Sequence, residues 1–538
     1  MFEIREATID DVHQIREVFL ATYGEQYAYP QYYDVQALTR LVFVDGTILL
    51  VAVETHSKRV VGTASVVFSV GAYNDLVGEF GRLAVHPEFR GKGIGKLLME
   101  GRLERVKDRL HVGLVENRVT HKFSQKISDK YGFVPVGFIP QKLLIERRES
   151  VATFVQHFGD ALSLRRNNPR VIPEAGELVA HALENCELPC DAVFDDSAAP
   201  FPHSSDYDLD ELKTEGYSSL LRIERGRVRH RDVFGPIRLH YGLFQLRASH
   251  SHYLLARRNG QIAGGIGFMI DEAEKAVRIF ELIALGDEPI HFLFDELGKK
   301  CQQDLSVEYI EVDVNAYSPR MQRTLLELNF QPVSYIPANV FHEVERLDVI
   351  KMARLLVPID IGETSLCASL RPIAETVIRN FKSRDVLPSV ARAASKAPLF
   401  IGLNDEQRTR LVSICKSQSF QPNDKIFEEG DSSGAMYFVM NGDVELVADH
   451  KGPVATVSTG QCLGETSLLY TSTKSPPRSI TAVAKTVVET AVFGRNEFAE
   501  LIRRRPDIGV VIYRNLAADI STRLKASGRQ IETATSQT

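Results

Sequence analysis

The spacing of apolar residues changes along the chain and predicts where strands and helices lie. From Lys96 onward, Leu97, Leu98, Leu103 and Val106 recur at helical spacing between charged positions. Apolar runs of strand length lie at 47–53, 83–85, 111–115, 253–256 and 309–312. This alternation of short strands with amphipathic helices predicts α/β units over residues 1–345.

After residue 397 the pattern changes to short alternating strands separated by turns. The pair Asn441-Gly442 lies between two apolar runs and predicts a hairpin turn. Residues 343–397 are predicted to be helical. Helices are also predicted at 495–504 and 507–525. This part of the chain is therefore expected to form a small β-roll, preceded by a helical linker and closed by helices.

One segment of the sequence is repeated. Residues 132–140 read GFVPVGFIP and residues 329–337 read NFQPVSYIP, an offset of 197 positions. At the same offset Gln125 falls on Gln322, and each segment follows a strand-like run and a short amphipathic helix. The repeat predicts two copies of one strand–helix–strand design.

The two copies differ in a glycine-rich segment. The first copy has Arg90-Gly91-Lys92-Gly93-Ile94-Gly95 between a strand and a helix. Glycines without Cβ atoms let backbone N–H groups converge on an anion, and the helix N-terminus adds partial positive charge. The second copy has two acids and a proline in the corresponding residues 282–291. We therefore predict a diphosphate site in the first copy and not in the second.

The first copy resembles the GNAT family of N-acetyltransferases over roughly residues 2–145. The resemblance rests on Arg90-x-x-Gly93-x-Gly95 and on the later Gly132-Phe133. It implies that acetyl-CoA lies in a gap beside the strand at 83–85, with its diphosphate on the glycine-rich segment. The acetyl-CoA-binding residues implied are Leu83, Ala84, Val85, Arg90, Gly91, Lys92, Gly93, Ile94, Gly95 and Lys96.

The resemblance also suggests catalytic groups. Glu79 precedes Leu83 by four positions, where family members that acetylate proteins have a glutamate, so it is the candidate base that deprotonates the amine. A solvated carboxylate near a strand end is the alternative interpretation of Glu79. Ser128 stands where many members have a tyrosine that protonates the leaving thiolate, with Tyr131 and His121 nearby. The general acid is therefore left unassigned.

The C-terminal roll resembles the cyclic nucleotide-binding domain. Gly464-Glu465 and Pro477-Arg478-Ser479 match its phosphate segment, in which an arginine and backbone N–H groups hold a cyclic phosphate and a glutamate accepts from the ribose. The nucleotide-binding residues implied are Leu463, Gly464, Glu465, Thr466, Ser467, Arg478 and Ser479, with cAMP as the expected ligand. Thr466-Ser467 and an insert at 471–475 depart from the family pattern.

Composition excludes other classes of function. The chain has 538 residues, with 64 Lys plus Arg against 70 Asp plus Glu and a net charge of -6. Such a charge gives no support for nucleic-acid binding, which needs a basic surface. The 15 residues after Arg523 leave no room for a helix-turn-helix. No apolar run reaches the roughly 18 residues of a membrane span. We therefore expect neither nucleic acid nor membrane as a partner.

The N-terminus and the cysteines bear on location. Residues 1–6 are acidic and lack the apolar core of a signal peptide. The six cysteines are scattered, and the C-x3-C pair of Cys186 and Cys190 has neither a second pair nor a nearby histidine partner of the zinc-site type. We therefore expect reduced thiols, a cytoplasmic protein and no metal site.

These observations predict an α+β protein of several domains. The domains expected are an acetyltransferase domain (1–148), a helical and loop connecting region (149–224), a degenerate GNAT-like unit acting as scaffold (225–345), a helical linker (346–390) and a β-roll cyclic nucleotide-binding domain with flanking helices (391–530). The function expected is an N-acetyltransferase under allosteric control by cAMP, with a protein lysine as acceptor. A small-molecule amine acetyltransferase with the same regulation, and a non-enzymatic scaffold that senses cAMP and acetyl-CoA, are the alternatives.

Overall fold

The computed structural model divides into two compact units, Met1–Arg379 and Asn380–Thr538. The residues described are 1–212, 230–233, 251–394 and 398–521, apart from 26, 28, 44, 45, 70–75, 146, 405, 406, 409, 412, 413, 433, 449–451, 470–476, 519 and 520. The boundary at 224/225 that the sequence predicted lies outside these residues. Among the described helices, none combines the length and apolar character needed to span a membrane.

The first unit is a mixed α/β structure. Its helices are α1 (Val12–Tyr23), α2 (Val35–Val42), α3 (Ile94–Val106), α4 (Phe123–Lys130), α5 (Gly176–Asn185), α6 (Glu288–Gln303), α7 (Pro319–Glu327) and α8 (Arg371–Ala394), which continues into the second unit. Its strands are β1 (Phe2–Glu6), β2 (Thr47–Glu54), β3 (Val60–Ser69), β4 (Val77–Val85), β5 (Val112–Arg118), β6 (Val134–Leu144), β7 (Arg148–His157), β8 (Arg170–Val171), β9 (Val193–Phe194), β10 (Asp208–Glu211), β11 (His230–Val233), β12 (Ser251–Arg258), β13 (Gln261–Asp271), β14 (Ala276–Ala284), β15 (Tyr309–Asn315), β16 (Gln331–His342) and β17 (Glu345–Leu355).

Fifteen of these strands form one sheet. Its order is β1-β2-β3-β4-β5-β7-β6-β16-β17-β15-β14-β13-β12-β10, and β11 pairs with β14 off this path. Within it, β4 pairs with β5 and β14 with β15 in parallel, and every other pairing is antiparallel. The strand order outward from β6 and from β16 is therefore the same.

The two halves of the sheet meet at one residue pair, in which Ser334 of β16 lies opposite Gly137 of β6. These residues are 197 positions apart and so occupy equivalent places in the repeat. A Cβ atom on Gly137 would lie 2.3 Å from the Cβ of Ser334, so a glycine is required there. Because equivalent residues pair antiparallel, a local pseudo-twofold axis passes through this contact.

Helix positions follow from which face of each helix is apolar. In α1, Val12, Ile15 and Phe19 recur at three- and four-residue spacing and are buried in a core that includes residues of α2 and β2. Helix α3 lies close to β3, since a Cβ on Gly62 would be only 3.0 Å from Ile94 Cγ2. The absence of a side chain at Gly62 thus sets the distance between α3 and the sheet.

Two segments that follow the last strand of each half are held by the repeated glutamines. We call residues 158–175 the first strap and residues 356–370 the second strap. Gln322 accepts from the amide of Ile172 at 3.1 Å, which fixes the first strap to the second half. Gln125 accepts from the amide of Cys367 at 3.1 Å and donates to the Ser365 carbonyl at 2.9 Å, which fixes the second strap to the first half. The halves therefore exchange straps.

Two of the predicted domain assignments are wrong in part. Residues 149–157, predicted as connecting region, form most of β7, and residues 346–355, predicted as helical linker, form β17. The strand β17 is buried on both faces although it contains Arg346, Asp348 and Lys351. A strand buried on both faces loses the alternation of polar and apolar positions, so its periodicity did not identify it.

The charges inside β17 are compensated. Arg165, in the first strap, donates from Nη2 to Asp348 Oδ2 at 2.6 Å and to Asp191 Oδ1 at 2.9 Å. Asp348 also accepts from the Ala338 amide at 2.8 Å and from the Tyr335 hydroxyl. A buried carboxylate is tolerated only when it is paired and hydrogen-bonded in this way. The Arg165–Asp348 pair thus ties the first half of the sheet to the second.

The second unit contains two four-stranded sheets, in the orders β18-β25-β20-β23 and β19-β24-β21-β22. Its strands are β18 (Cys415–Phe420), β19 (Lys425–Phe427), β20 (Ala435–Asn441), β21 (Asp443–Ala448), β22 (Gly452–Ser458), β23 (Cys462–Leu463), β24 (Thr481–Ala484) and β25 (Val488–Gly494). Its helices are α9 (Thr466–Leu469), α10 (Arg495–Arg504) and α11 (506–518). This is the expected β-roll, and the helix predicted at 495–504 is confirmed.

The hairpin predicted at Asn441-Gly442 is wrong. The flanking strands β20 and β21 belong to different sheets and do not pair with each other. Gly442 has φ of 93°, and a Cβ atom there would lie 2.4 Å from the carbonyl oxygen of Val487. The glycine therefore forms a corner between two sheets. Its positive φ is a local property, whereas the partner of each strand is decided by tertiary packing.

Replacing Asp348 by asparagine should destabilise the first unit by about 3 kcal/mol, because it removes the charge that compensates buried Arg165. Urea-induced unfolding of the full chain, monitored by far-UV circular dichroism, measures the change in the free energy of unfolding. Glu345→Gln is the matched control in the same strand, since its ion pair with Arg166 is 3.8 Å long and half exposed. That control should change stability by no more than about 1 kcal/mol. Equal effects of both substitutions would contradict the role given to Asp348.

Candidate functional site

A gap opens where β4 and β5 diverge. These strands pair over only four residue pairs, the last being Phe80 with Val115. Strand β4 continues to Val85, and on its other edge it stays paired with β3, where Gly62 lies opposite Val85. Among the described residues no strand pairs with the edge of 81–85 that faces β5. This edge of backbone is therefore available to a ligand.

A cleft with an empty volume of about 1030 Å³ occupies the gap. Its walls come from α1 and the segment after it, β4, α3, β5 and α4. Of the residues that the sequence predicted as functional, Glu79 and Leu83 line this cleft. Ala84 and Val85 continue the same strand at the same edge. The predicted base and the predicted acyl-binding strand are thus neighbours in the structure.

Glu79 is partly buried, with 27% of its side chain exposed, and it forms an ion pair with Arg82. The distance from Glu79 Oε1 to Arg82 Nη1 is 2.9 Å. A neighbouring guanidinium favours the charged form of a carboxylate. The carboxyl group of Glu79 therefore lies at the cleft wall, where a proton acceptor would be needed, with Arg82 as its ion-pair partner.

Two further arginines line the cleft besides Arg82. Arg102 is buried, and its Nη1 donates to the carbonyl oxygens of Ser65 and Gly81, both at 3.3 Å. Burial, together with the neighbouring Arg82, lowers the pKa of Arg102 to about 9. Arg118 donates from Nη2 to Glu149 Oε1 at 2.7 Å. The cleft is therefore lined by three arginines together with two glutamates, Glu79 and Glu116.

Tyrosines form a wall of the cleft that the sequence analysis missed. Tyr23, Tyr27 and Tyr29 line it, with ring centroids 4.6 Å apart for Tyr23 and Tyr27 and 5.4 Å apart for Tyr27 and Tyr29. Burial raises the pKa of Tyr23 and of Tyr27, so both phenols stay protonated and can donate hydrogen bonds. In the sequence, the signal that could have identified this wall is the clustering of five of the 17 tyrosines between positions 23 and 33.

The residues considered as general acid are separated by the fold. Ser128 lines the cleft and accepts a hydrogen bond from Asn117 Nδ2 at 2.9 Å, which leaves its hydroxyl proton free to donate. Tyr131 instead donates to Glu100 on α3, and its pKa is raised to about 12 by burial and by this carboxylate. His121 lines the cleft, and burial, aided by Arg118, lowers its pKa. Ser128 and His121 are therefore at the cleft, whereas Tyr131 is engaged elsewhere.

The glycine-rich segment has the backbone geometry of an anion site. Gly91 and Gly93 have φ of 77° and 82°, and a Cβ atom on either would meet no atom within 4 Å. Helix α3 begins at Ile94 with Gly93 as its N-cap. Among the described residues the backbone amides of 91–95 donate to no protein acceptor. A diphosphate fits these unused donors at a helix N-terminus.

The anion site is linked to the cleft through Gly95. A Cβ atom on Gly95 would lie 3.1 Å from Ile127 Cδ1, and Ile127 lines the cleft. The glycine therefore lets α3 approach α4 beside the cleft. The same Cβ atom would lie 3.8 Å from Leu83 Cδ2, so Gly95 of the glycine-rich segment and Leu83 of β4 are neighbours.

The second half has a different arrangement in the corresponding places. Strand β11 pairs with β14, with Val233 opposite Glu281 and His230 opposite Ala284, on the edge that faces β15. At the start of α6, Asp287 accepts from Arg320 Nη1 at 2.7 Å. The chain's own strand therefore takes the backbone edge that is unpaired in β4, and a carboxylate stands at the helix N-terminus.

In the second unit a cavity brings together all seven residues predicted to bind a nucleotide. They are Leu463, Gly464, Glu465, Thr466, Ser467, Arg478 and Ser479. Glu465 and Arg478 are 8% and 7% exposed, so both charges are almost withdrawn from water. The insert predicted at 471–475 lies outside the described residues.

Arg478 is positioned by its own neighbours. Its Nη1 donates to the Gly464 carbonyl at 3.2 Å, its Nη2 donates to the Ala435 carbonyl, and its Cζ lies 4.4 Å from the centre of the Phe427 ring. A Cβ on Gly464 would lie 2.3 Å from Arg478 Nη1, so the glycine is needed for this approach. Burial lowers the pKa of Arg478. An arginine held by neutral carbonyls at a cavity wall fits an anionic phosphate.

Comparisons with known proteins identify two domains. Residues 45–135 match the acetyltransferase (GNAT) domain, and residues 417–505 match the cyclic nucleotide-binding domain. The chain is 31% identical to the cyclic AMP receptor protein of Thermus thermophilus over 140 residues, which are 25% of this chain and 61% of that protein. It is 31% identical to the cAMP-dependent protein kinase regulatory subunit of Yarrowia lipolytica over 108 residues, 20% of this chain and 28% of that one.

Among solved structures, the crystal structure of Thermus thermophilus catabolite activator protein is 30% identical, covers 26% of this chain and 63% of its own, and has a TM-score of 0.23. The chain therefore spans less than two thirds of the length of each of these relatives. The matched cyclic nucleotide-binding domain, residues 417–505, lies within the second unit, as does the cavity with Arg478.

Gly93→Asp should weaken CoA binding at least about tenfold, because it places a carboxylate where the diphosphate is expected. Aspartate tolerates the left-handed backbone better than most residues, and its charge suits a helix N-terminus, so α3 should remain folded. Isothermal titration of the full chain with CoA measures the loss. Gly159→Asp is the control, since Gly159 also has a positive φ of 51° and open space around its Cβ position. Unchanged CoA affinity in Gly93→Asp would refute the anion site.

Proposed function

We propose that this chain, which carries an acetyltransferase (GNAT) domain and a cyclic nucleotide-binding domain, is an N-acetyltransferase regulated by a cyclic nucleotide, cAMP. The observation that carries the proposal is the unpaired edge of β4 next to a helix N-terminus with unused amides, with Glu79 in the same cleft. Acetyl-CoA is the co-substrate and supplies an activated acyl group.

The residues of the first half would divide the work as follows. The amides of 91–95 hold the diphosphate, and backbone N–H groups of Leu83–Val85 hold the pantetheine and polarise the thioester carbonyl. Glu79 takes a proton from the substrate ammonium, and the neutral amine nitrogen then attacks the thioester carbon and forms the amide bond as the carbon–sulfur bond breaks. CoA leaves as the thiol after receiving a proton, for which Ser128 is the hydroxyl at the predicted position.

The acceptor that we propose is an amine. Three arginines line the cleft beside two glutamates, so net charge does not recognise the amine; Glu79 would accept its proton, and the tyrosine wall provides aromatic faces that attract ammonium groups. A protein lysine meets this description, and we propose it as the acceptor. Small polyamines have the same chemistry and are the competing substrates in the experiment below.

The second half is proposed to be a degenerate acetyltransferase unit that serves as scaffold. The strand order of both halves is the same, which supports a common design. Its groove is taken by β11, and Asp287 stands where a diphosphate would bind. The exchanged straps and the Arg165–Asp348 pair are what this unit contributes to the first half.

The second strap supplies a route from the nucleotide to the cleft. Helix α8 begins in the first unit and ends in the second. Just before α8, the Ser365 amide donates to the Val119 carbonyl at 2.6 Å. Gln125 of α4 also forms hydrogen bonds with the second strap. Residues flanking Val119, namely Arg118 and His121, line the cleft. A shift of α8 upon nucleotide binding would therefore move one wall of the cleft.

The experiment that tests this function is transfer of radiolabelled acetyl groups from acetyl-CoA to proteins, to a lysine peptide and to polyamines, with cAMP titrated in. Transfer to lysine that changes severalfold with cAMP supports the proposal. Preference for polyamines would make it a small-molecule enzyme. Equal rates alongside measurable cAMP binding would remove the regulation, and no transfer to any amine would leave a sensing scaffold.

Glu79→Gln should reduce the rate of transfer about 100-fold at pH 7, because the amine then has no positioned proton acceptor. The deficit should shrink as pH rises toward the lysine pKa of about 10.4, where solution supplies the neutral amine. Initial rates from pH 6.5 to 9.5 measure it. Glu88→Gln, an exposed glutamate on the same domain, is the control and should behave as the unmodified chain. A full rate at pH 7 in Glu79→Gln would exclude Glu79 as the base.

Gln125→Ala should flatten the response to cAMP, since it removes the side chain that joins the second strap to α4. Its repeat equivalent gives a matched control. Gln322→Ala removes the same kind of clasp from the first strap, which does not border the cleft. Acetyl transfer with and without saturating cAMP measures the ratio in each variant. A preserved response in Gln125→Ala, or its loss only in Gln322→Ala, would show that the signal takes another path.

A further inference from the structure

A second group of ligand-type side chains lies in the second half, on α6, α7 and the loop before β10. His203, His291 and Glu327 each place one nitrogen or oxygen atom within 4.8 Å of the others. The distance from His203 Nε2 to Glu327 Oε2 is 3.6 Å, and the two imidazole centroids are 3.7 Å apart. None of these residues takes part in the proposed transfer or in nucleotide binding. We propose that they bind a divalent transition-metal ion, for which Zn²⁺ is the best match.

The donor set fits that metal. Imidazole nitrogen and carboxylate oxygen are the ligands that Zn²⁺ takes besides thiolates, at about 2.0–2.2 Å. Ligand atoms around a tetrahedral zinc ion are therefore roughly 3.3 Å apart. The separation of 3.6 Å between His203 and Glu327 is already close to this value. Three protein ligands would leave the fourth position for water.

The fold fixes the segments that carry the three ligands. The amide of Phe201 donates to Thr324 Oγ1 at 2.8 Å, which holds the loop of His203 against α7. The Asp287–Arg320 pair, at 2.7 Å, holds the start of α6 against the start of α7. His291 is 6% exposed, whereas the side chain of His203 is 70% exposed. The proposed site thus has one buried ligand, His291, and one ligand that is open to solvent, His203.

The place of this cluster in the repeat explains what the metal would do. Glu327 ends α7 and His291 lies in the first turns of α6, the helices equivalent to α4 and α3. In the first half the start of α3 carries the glycine-rich segment that is predicted to bind the diphosphate. In the second half the loop at 198–205 contacts α7 through Phe201, and a metal would fasten that loop to both helices. This inference concerns the scaffold half and does not depend on the transfer reaction.

The test uses the untagged full chain, stripped with a chelator and titrated with Co²⁺, whose visible absorption reports nitrogen and oxygen ligands, followed by competition with Zn²⁺. One metal ion per chain and a rise in the thermal midpoint with Zn²⁺ are expected. Outer partners of metal ligands already contribute roughly 10- to 100-fold in affinity, so His203→Ala should weaken binding about 100-fold or more. His203 is exposed, so its removal should leave the apo chain folded, and Glu327→Gln provides a second variant.

Two controls separate the alternatives. His181→Ala removes a partly exposed histidine that lies 3.7 Å from Glu184 but has no third ligand among the described residues, and this variant should bind metal as the unmodified chain does. Cys190→Ser removes the exposed thiol and should also be without effect. Equal binding by His203→Ala and the unmodified chain, loss of binding in Cys190→Ser, or no binding at all would each overturn the proposal and leave an ordinary histidine–glutamate ion pair.

Discussion

The parallel pairing of β4 and β5 ends after four residue pairs, and the arrangement of the first half follows from that ending. Beyond Phe80 this edge of β4 has backbone donors and acceptors but no partner strand in the part of the chain that the structure describes, which is unfavourable unless a ligand or solvent satisfies them. The cleft, the tyrosine wall and the glutamate all lie around this edge. In the second half the equivalent edge of β14 is paired with β11. The two halves therefore differ in whether the chain itself satisfies the hydrogen bonds of this edge.

Buried charges connect the cleft to the centre of the sheet. Lys142 is 9% exposed, and its Nζ lies 2.6 Å from Glu116 Oε1, in the cleft, and 3.2 Å from Glu311 Oε2, in the second half. Attraction from both carboxylates outweighs burial and raises the pKa of Lys142. Such a chain of paired charges loses stability when any member is removed. The second half is therefore bound electrostatically to the wall of the cleft as well as through the straps.

Prediction from sequence identified the two domains through short segments. The glycine-rich segment at 90–95 and the segments around Gly464 and Arg478 need particular residues at fixed spacing, because backbone amides and one guanidinium must converge on phosphate. Prediction failed for β17, because Asp348 and Lys351 are residue types that usually lie on the surface, although they are buried here. It also failed for Asn441-Gly442, where a local turn preference was taken as evidence of strand pairing. The site residues themselves stay predictions until ligands are measured.

The sequence by itself determined the repeat, the β-roll and the identity of the two domains, because these are written in local periodicity and in motifs with fixed spacing. Only the tertiary structure decided that equivalent residues Gly137 and Ser334 meet at the centre of one sheet. It likewise decided that the straps are exchanged, that β11 fills one groove, and that His203 meets Glu327. These contacts join residues far apart in the chain, and their geometry depends on packing that no local pattern encodes.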